Sequence, residues 1–323
     1  MTNFPGRDPA SFGFEEILYS KRDWVATVTI NRPDKYNAYT YRTLQEMTQA
    51  FRDAAWDDQI AVVVLTGAGD KAFCTGGDVK EYAEEYTARP RDYWKWMGLF
   101  VECHDMLRNI GKPTIARLNG MVVGGGNEFN MACDLAIAAE HVRIRQVGTE
   151  VGSVAAGGAT QWLPLMVGDR RAREILWLCE WIDADKALDW GLVNQVVPYA
   201  KLDDAVATMA AKLVDKFPEC LRYTKQQTNF WKDFAWSQTV GHAREWLALH
   251  YASLEPHEGM HAFVEKRRPD HLEVRQRAAS GGSSEFVWGP YSQSCPSCGA
   301  DGIPAEFTYC GRCGERLAPT GER

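Results

Sequence analysis

The chain has 323 residues, of which 45% are hydrophobic and 24% are charged, and this composition excludes a disordered tail, a collagen-like fibre and a small disulfide scaffold. Acidic residues outnumber basic ones by 43 to 36, which gives a net charge of -7, so the chain as a whole repels nucleic acid and must bind any phosphate locally. No apolar run approaches the ~20 residues that span a bilayer, and the first residues lack the basic and apolar blocks of a signal peptide. We therefore expect a cytoplasmic protein that binds neither nucleic acid nor a membrane.

The first half of the chain alternates strand and helix patterns. Short β-branched or apolar runs predict strands over 24–30, 61–66, 114–118 and 135–139. Helical spacing predicts helices over 41–53 and 93–109, and another that begins at the glycines 124–126 and runs to Cys133. The later pattern is mostly helical, with helices predicted over 171–179, 184–190, 202–216, 218–239 and 241–253. This order predicts an α/β protein with a largely parallel sheet and a helical C-terminal flank.

The composition changes after residue 271. Residues 272–294 combine a polar run, a Gly-Gly-Ser-Ser segment and a mixed stretch, which is typical of a linker. The predicted organisation is a catalytic domain at 1–271, a linker at 272–294 and a small module at 295–323. A module of this size buries little apolar surface, so we expect it to fold only with a bound metal.

Four cysteines of the small module form two C-x-x-C pairs, Cys295 with Cys298 and Cys310 with Cys313, separated by eleven residues. Four thiolates at this spacing can converge on one Zn²⁺ ion as in a zinc ribbon. Two disulfides are an alternative that a reducing compartment disfavours, and iron could replace zinc. Because no histidine lies among them, we expect a structural ion and not a catalytic one. The other cysteines are interpreted as reduced core residues: Cys74, Cys103, Cys133, Cys179 and Cys220.

Two glycine-rich segments follow strand patterns. One contains Gly76 and Gly77, and the other, 124–126, opens the predicted helix. Glycine lets a ligand approach the backbone closely, and the first N–H groups of a helix have no intrahelical acceptor. Such a place can hold a negative oxygen, although close packing of a strand on a helix also explains the glycines. Neither segment matches G-x-G-x-x-G or the P-loop, which argues against a nucleotide site.

Eight segments occur in a characteristic order. They are Asn31-Arg32-Pro33, Ala72 to Glu81, Asn119-Gly120, Gly124 to Glu128, Cys133-Asp134-Leu135, Gly157 to Gln161, Gly191-Leu192-Val193 and Glu258 to Arg267. Together, over residues 15–271, they resemble the crotonase (enoyl-CoA hydratase/isomerase) superfamily. The resemblance implies a spiral of ββα turns, a helical C-terminal trimerisation region, and homotrimers that often pair into hexamers. It also implies an acyl-CoA thioester as substrate and no cofactor for catalysis. The zinc module lies outside the resemblance.

The resemblance also assigns roles at the reacting group. The backbone N–H groups of Gly77 and Gly125 would form an oxyanion hole that stabilises the enolate of the thioester. Glu128 matches the first of the two catalytic glutamates of simple hydratases. The position of the second glutamate is Gly148 here, so only one of the two carboxylates that orient a water across a double bond is present.

Two further residues are candidates for the missing proton transfer. Glu150 lies two residues beyond Gly148, and it is either a catalytic carboxylate or an exposed loop charge. Tyr251 matches a C-terminal tyrosine of a related branch of the superfamily, and it is either catalytic or a buried aromatic residue whose hydroxyl is hydrogen-bonded.

The binding of the CoA nucleotide is assigned in the same way. Asn31, Arg32 and Lys80 match positions that hold the adenine and phosphates in the superfamily. Phe263 and Lys266 match a C-terminal region that reaches the nucleotide of a neighbouring subunit. The alternative for Lys80 and Lys266 is an ordinary solvated surface charge.

Three stretches suggest a narrower branch. Residues 148–162, 217–227 and 230–236 look most like the 6-oxocyclohex-1-ene-1-carbonyl-CoA hydrolases of anaerobic aromatic degradation (the benzoyl-CoA pathway). The resemblance implies that two waters are added to a cyclic oxo-enoyl thioester and that its ring opens to 3-hydroxypimeloyl-CoA. The dihydroxynaphthoyl-CoA synthases carry His and an acidic residue where this chain has Asn127 and Ala155, which disfavours their ring closure.

Other functions remain open. A simple enoyl-CoA hydratase would add one water to another cyclic or aryl thioester. A non-catalytic acyl-CoA-binding subunit would instead use its zinc module to dock an enzyme of the same pathway. Several tryptophans would form either the wall of an apolar pocket or ordinary packing: Trp94, Trp96, Trp162, Trp231 and Trp236.

Overall fold

The computed structural model describes residues 6–282, 285–286, 288 and 291–317. Its strands are β1 (Ile17–Arg22), β2 (Val25–Ile30), β3 (Val62–Gly67), β4 (Ala72–Cys74), β5 (Thr114–Leu118), β6 (Met121–Val123), β7 (Leu135–Ala139), β8 (Arg143–Arg145), β9 (Ile182–Asp183) and β10 (Gln195–Val197). Its helices are α1 (Tyr41–Trp56), α2 (Val79–Glu81), α3 (Pro90–Arg108), α4 (Gly125–Ala132), α5 (Ala159–Val167), α6 (Asp169–Leu178), α7 (Ala184–Trp190), α8 (Leu202–Val214), α9 (Pro218–Thr228), α10 (Phe230–His250), α11 (Leu254–Val264) and α12 (His271–Ala279). Among the described residues, no helix combines the length and the apolar character that crossing a membrane requires.

The strands form two sheets that the chain visits alternately. The larger sheet has the order β1-β2-β3-β5-β7-β10, and the smaller one has the order β4-β6-β8-β9. Pairing is parallel except for β1 with β2 and β8 with β9. Each of the pairs β3–β4, β5–β6 and β7–β8 places one strand in each sheet before the chain enters a helix. This arrangement is the expected spiral of ββα turns, and it confirms the predicted α/β fold.

The central strand β3 is buried along its whole length, as its continuous apolar run predicts for a parallel strand covered on both faces. Its neighbour β2 alternates between buried and half-buried positions. Helix α1 begins at a capping box, in which Thr40 accepts from the Thr43 N–H and the Thr43 hydroxyl bonds the Thr40 N–H. These features agree closely with the sequence-based boundaries.

The short strands of the smaller sheet have no counterpart in the sequence prediction. Strands β4, β6, β8 and β9 contain only two or three residues each. A run of this length is too short for an alternating pattern to show. Strand β1 was also missed, although it pairs along its whole length with β2.

The C-terminal helices break at a different residue than expected. The predicted break near residue 240 is wrong, because α10 runs through Gly241 without interruption and the chain breaks at Asn229 instead. An exposed helix tolerates a glycine at a cost of about 1 kcal/mol. The buried side chains of Trp236 and Leu247 on either side anchor this part of α10 to the core.

The linker region contains a helix that its composition did not indicate. Helix α12 occupies the first part of 272–294, because the Asp270 side chain caps it by accepting from the N–H groups of Leu272 and Glu273. Residues 283–284, 287, 289–290 and 318–323 of the predicted linker and module lie outside the described residues. The domain boundaries therefore stay a prediction.

Cys220 is exposed, so its interpretation as a core residue is wrong.

Candidate active site

A cavity of about 100 Å³ lies where the glycine turns that follow β4 and β6 meet helices α3, α10 and α11. Its lining includes Gly77, Gly125 and Glu128, together with Tyr251 from the end of α10. The structure therefore brings four of the five predicted catalytic residues to one cavity. Glu150 is absent from the lining.

The two glycine turns lie back to back. Gly76 has φ +90° and Gly124 has φ 53°, which are conformations that favour glycine. A Cβ on Gly76 would lie 3.2 Å from the Gly125 N atom, which shows how closely the turns approach. Among the described residues, no acceptor is found for the N–H groups of Gly77 and Gly125. Two donors are thus available on neighbouring turns of one cavity wall.

Two tyrosines that the sequence analysis missed close the other side of these turns. A Cβ on Gly125 would overlap the hydroxyl oxygen of Tyr39, and a Cβ on Gly77 would overlap that of Tyr82. Tyr39 is held in place by backbone hydrogen bonds, because its N–H donates to Gly76 O and its O accepts from the Asp78 N–H, both at 2.9 Å. Only the three-dimensional contact identifies these residues, since neither belongs to a recognisable motif.

Glu128 is the one carboxylate that the described part of the chain contributes to the cavity lining. It lies one turn into α4, is 5% exposed, and its Oε1 accepts from the Ala159 N–H at 3.2 Å. Burial raises the pKa of Glu128 to about 7, against the opposing effect of N–H donors from Ala159 and Gly157. A carboxyl group with this pKa can both take up and release a proton near neutral pH.

The two candidates for a second proton-transferring residue, Glu150 and Tyr251, lie in different environments. Glu150 forms an ion pair with Arg145, and its side chain is 45% exposed, while its backbone oxygen contacts the Nε2 atom of His271 at 3.0 Å. Tyr251 is buried and lines the cavity. Burial raises the pKa of Tyr251, and its hydroxyl is hydrogen-bonded to Tyr93 and Ser153.

Further polar groups of the lining come from Gln146 and Tyr93, which the sequence analysis did not identify, and from Trp96. Gln146 is fully buried, donates from Nε2 to Gly124 O at 3.3 Å, and leaves its Oε1 without a partner among the described residues. The indole N–H of Trp96, on α3, is likewise buried without an acceptor. Tyr93 adds another phenol to the cavity wall.

The five tryptophans predicted to form either a pocket wall or ordinary packing lie in three kinds of place. Only Trp96 lines the cavity. Trp162 and Trp236 are buried and flank the guanidinium of Arg108, at 4.9 and 5.8 Å from their ring centroids. Trp94 and Trp231 are exposed.

The residues predicted to bind the CoA nucleotide lie outside the cavity lining. Arg32 is turned inward, where its guanidinium pairs with Glu16 at 3.4 Å and Asp78 at 3.1 Å and donates to Ala38 O. Asn31 donates its N–H to Glu16 O. Three of the residues are exposed at the surface: Lys80, Phe263 and Lys266. Their roles stay predictions.

The four cysteines of the small module converge as predicted. Their sulfur atoms all lie within 4.8 Å of one another, with Cys295 to Cys313 at 3.6 Å and Cys298 to Cys310 at 3.7 Å. A tetrahedral zinc site with Zn–S bonds of about 2.3 Å requires sulfur atoms about 3.8 Å apart, whereas a disulfide requires about 2 Å. The donor set therefore fits one Zn²⁺ ion, and the two-disulfide alternative does not fit.

Known proteins are similar to this chain over most of its length. Residues 20–274 match the family model described as enoyl-CoA hydratase/isomerase. An enoyl-CoA hydratase from Mycobacterium avium subsp. paratuberculosis K-10 is similar with a TM-score of 0.72 and 25% identity, over 79% of this chain and 98% of that chain. An enoyl-CoA hydratase from Bacillus anthracis has a TM-score of 0.64 and 30% identity, over 79% and 98%. EchA1_1 from Mycobacterium paratuberculosis has a TM-score of 0.67 and 31% identity, over 79% and 97%.

The raised pKa of Glu128 predicts how stability depends on pH. Its pKa rises from 4.5 to about 7 on folding, so between these values the native state binds more protons than the unfolded state and stability falls as pH rises. The shift from 4.5 to about 7 corresponds to a loss of about 3 kcal/mol in the free energy of unfolding once the pH exceeds about 7. In Glu128→Gln this loss is absent, so the melting temperature of the variant relative to the unsubstituted protein is expected to increase from about pH 5 to pH 8.

Thermal unfolding at a series of pH values checks this prediction. Glu84→Gln, which replaces an exposed carboxylate by the same amide, is the control. If the melting temperatures of Glu128→Gln and the unsubstituted protein differ by the same amount at every pH, that result would contradict a buried carboxyl group that titrates in this range.

Proposed function

This chain belongs to the enoyl-CoA hydratase/isomerase family, and we propose that it opens the ring of a cyclic oxo-enoyl-CoA thioester by adding two waters. The proposed substrate is 6-oxocyclohex-1-ene-1-carbonyl-CoA and the product is 3-hydroxypimeloyl-CoA. The observation that carries the proposal is a cavity in which, among the described residues, two backbone N–H groups without acceptors accompany one carboxyl group and no second carboxylate. A simple hydratase would use a second carboxylate where this cavity has Gly148.

In the first step, water adds to the ring double bond. The Glu128 carboxylate takes a proton from water, the hydroxide attacks the ring carbon β to the thioester, and the double-bond electrons move onto the thioester oxygen. The N–H groups of Gly77 and Gly125 donate to this enolate oxygen. Glu128 then returns the proton to the α carbon. The carboxylate is restored, and the product of this step is a β-keto thioester.

In the second step, water attacks the ring ketone. Glu128 again removes a proton, the bond between the ketone carbon and the α carbon breaks, and its electron pair forms the same thioester enolate. Protonation of the α carbon completes the opening of the ring and leaves a free carboxylic acid. Because burial raises the pKa of Tyr251, we assign Tyr251 to positioning the water and not to removing its proton. Glu150 is proposed only as an outer residue that supports the loop.

The CoA moiety is proposed to extend from the cavity towards exposed Lys80 and, in an oligomer, towards Phe263 and Lys266 of the C-terminal region. Arg32 would have to leave Glu16 and Asp78 to reach a phosphate. Its observed contacts support a different contribution, in which the ion pair with Asp78 holds the turn that carries Gly77. Asn31 lies on the same segment.

A homotrimer, alone or paired into a hexamer, is proposed as the assembly. Its support comes from large aromatic side chains that are more than half exposed on α10, at Phe230, Trp231 and Phe234, and next to α9, at Phe217. An exposed apolar surface of this kind is typical of an interface. The small module is proposed to hold one structural Zn²⁺ ion, which would cross-link its two C-x-x-C pairs and supply no catalytic chemistry.

Incubation with 6-oxocyclohex-1-ene-1-carbonyl-CoA is expected to yield a product heavier by two waters. Mass spectrometry of the product measures this directly, and heavy-oxygen water should label both the new hydroxyl and the new carboxylic acid. Glu128→Gln is the control and should form no product. A product heavier by only one water would favour a simple hydratase, and unchanged turnover in Glu128→Gln would favour a non-catalytic binding subunit.

Gly125→Ala is expected to lower kcat by about 100-fold, the effect of losing one oxyanion donor. The added methyl group overlaps the Tyr39 hydroxyl oxygen, so the amide or the phenol must move. The matched control is Gly241→Ala on α10, where a Cβ meets no atom within 4 Å. Steady-state kinetics with a melting temperature for each variant check this. Full activity in a folded Gly125→Ala protein would contradict the proposed oxyanion hole.

Elemental analysis of the purified protein is expected to find about one zinc ion per chain. Cys310→Ser removes one ligand and should lose most of the metal, because three thiolates bind zinc more weakly than four. Cys220→Ser alters an exposed cysteine outside the cluster and should keep it. Stoichiometric iron, or unchanged zinc in Cys310→Ser, would contradict the proposed site.

A further inference from the structure

Trp96 has a buried donor that the protein does not use. The residue lies on α3, is 3% exposed and lines the cavity beside the glycine turns. Its Nε1–H has no acceptor among the described residues. A buried N–H group without an acceptor destabilises the native state, so such a group in a binding cavity calls for an explanation.

Nearby tryptophans show that this arrangement is not general in the protein. The indole N–H of Trp162 donates to Lys232 O at 3.2 Å, and that of Trp236 donates to Asp105 Oδ1 at 2.7 Å. Trp94 lies two residues before Trp96 on the same helix, and its N–H donates to Glu245 Oε1 at 2.7 Å. Trp96 differs from all three because it lines the cavity and because its Nε1–H has no acceptor among the described residues.

The indole ring of Trp96 packs among the rings of three tyrosines. Its ring stacks on Tyr39 with 6.1 Å between centroids and on Tyr93 with 5.7 Å, and it meets the edge of Tyr82 at 4.9 Å. Tyr39 and Tyr82 are the residues whose hydroxyl oxygens lie against Gly125 and Gly77. The group of Trp96, Tyr39 and Tyr82 is therefore a polar region directly beside the two glycines of the proposed oxyanion hole.

We propose that Trp96, with the hydroxyls of Tyr39 and Tyr82, forms a second oxygen-binding subsite that receives the ring ketone of an oxo-acyl thioester. This inference rests on the proposed function, because that substrate carries a second carbonyl oxygen near the thioester. The indole N–H donates to the ketone oxygen and orients the ring. As water attacks the ketone, the oxygen becomes negative and the same donor stabilises it.

The chemistry of the phenols agrees with a donor role. Burial raises the pKa of both Tyr39 and Tyr82 well above the ordinary value, so both stay protonated at neutral pH. A carboxylate at this place would repel the developing charge, and no described residue of the cavity lining other than Glu128 is acidic. The subsite would thus select a thioester with a ketone over one without it, since only the ketone satisfies the buried donor.

The test compares binding of two thioesters that differ by one oxygen. These are 6-oxocyclohex-1-ene-1-carbonyl-CoA and cyclohex-1-ene-1-carbonyl-CoA, titrated by calorimetry into the full chain carrying Glu128→Gln, which prevents turnover. Adding Trp96→Phe is expected to weaken binding of the oxo compound by about 10-fold or more. Binding of the compound without the ketone should change by less than about 3-fold. Trp94→Phe, on the same helix, is the matched control and should affect both thioesters equally.

Equal weakening of both thioesters by Trp96→Phe would overturn the subsite and leave Trp96 with a packing role only. If Trp96→Phe does not fold, as judged by its melting temperature, Tyr82→Phe provides the second variant, and the same selective loss is expected. Equal weakening of both thioesters by Tyr82→Phe would then overturn the subsite.

Failure of the proposed function gives a different result. In that case the unsubstituted enzyme would not add two waters to the oxo compound. Selective weakening by Trp96→Phe would still identify an oxygen-binding subsite.

Discussion

Two backbone N–H groups that share one cavity are the constraint on which the rest of the site depends. They meet because the chain passes alternately between two sheets, so that the turns after β4 and β6 are neighbours. Gly76 and Gly124 permit the positive φ angles of these turns, and no side chain fits on Gly77 or Gly125 beneath the phenols. A larger residue at either place would separate the donors, so the glycines are required by packing as well as by chemistry.

In the proposed mechanism, Glu128 supplies the proton transfer that the backbone donors cannot provide. It lies on the helix that begins at Gly125, so the fold fixes the carboxyl group relative to one donor within a single helical turn. Burial brings its pKa to about 7, which suits a group that must alternately accept and release a proton. The C-terminal helices complete the enclosure, since Leu247, Tyr251 and Met260 line the same cavity.

The sequence predicted the parts of this molecule that repeat or match a motif. The buried run of β3, the glycine turns and the four cysteines were identifiable from residue type and spacing, and Glu128 was identifiable from the family resemblance. It did not predict the short strands of the smaller sheet, whose two or three residues show no periodicity, or the continuation of α10 through Gly241. Tyr39, Tyr82 and Trp96 were not identified as a group because only folding brings together the segment before α1, the segment after α2, and α3. The inward turn of Arg32 depends on Glu16 and Asp78, which no local pattern relates to it.

The most direct test of the account is a crystal structure of Glu128→Gln with an acyl-CoA thioester bound. The account predicts that the thioester oxygen lies about 3 Å from the N atoms of both Gly77 and Gly125, with the reacting carbons beside residue 128. A thioester oxygen bound away from these two amides would contradict it.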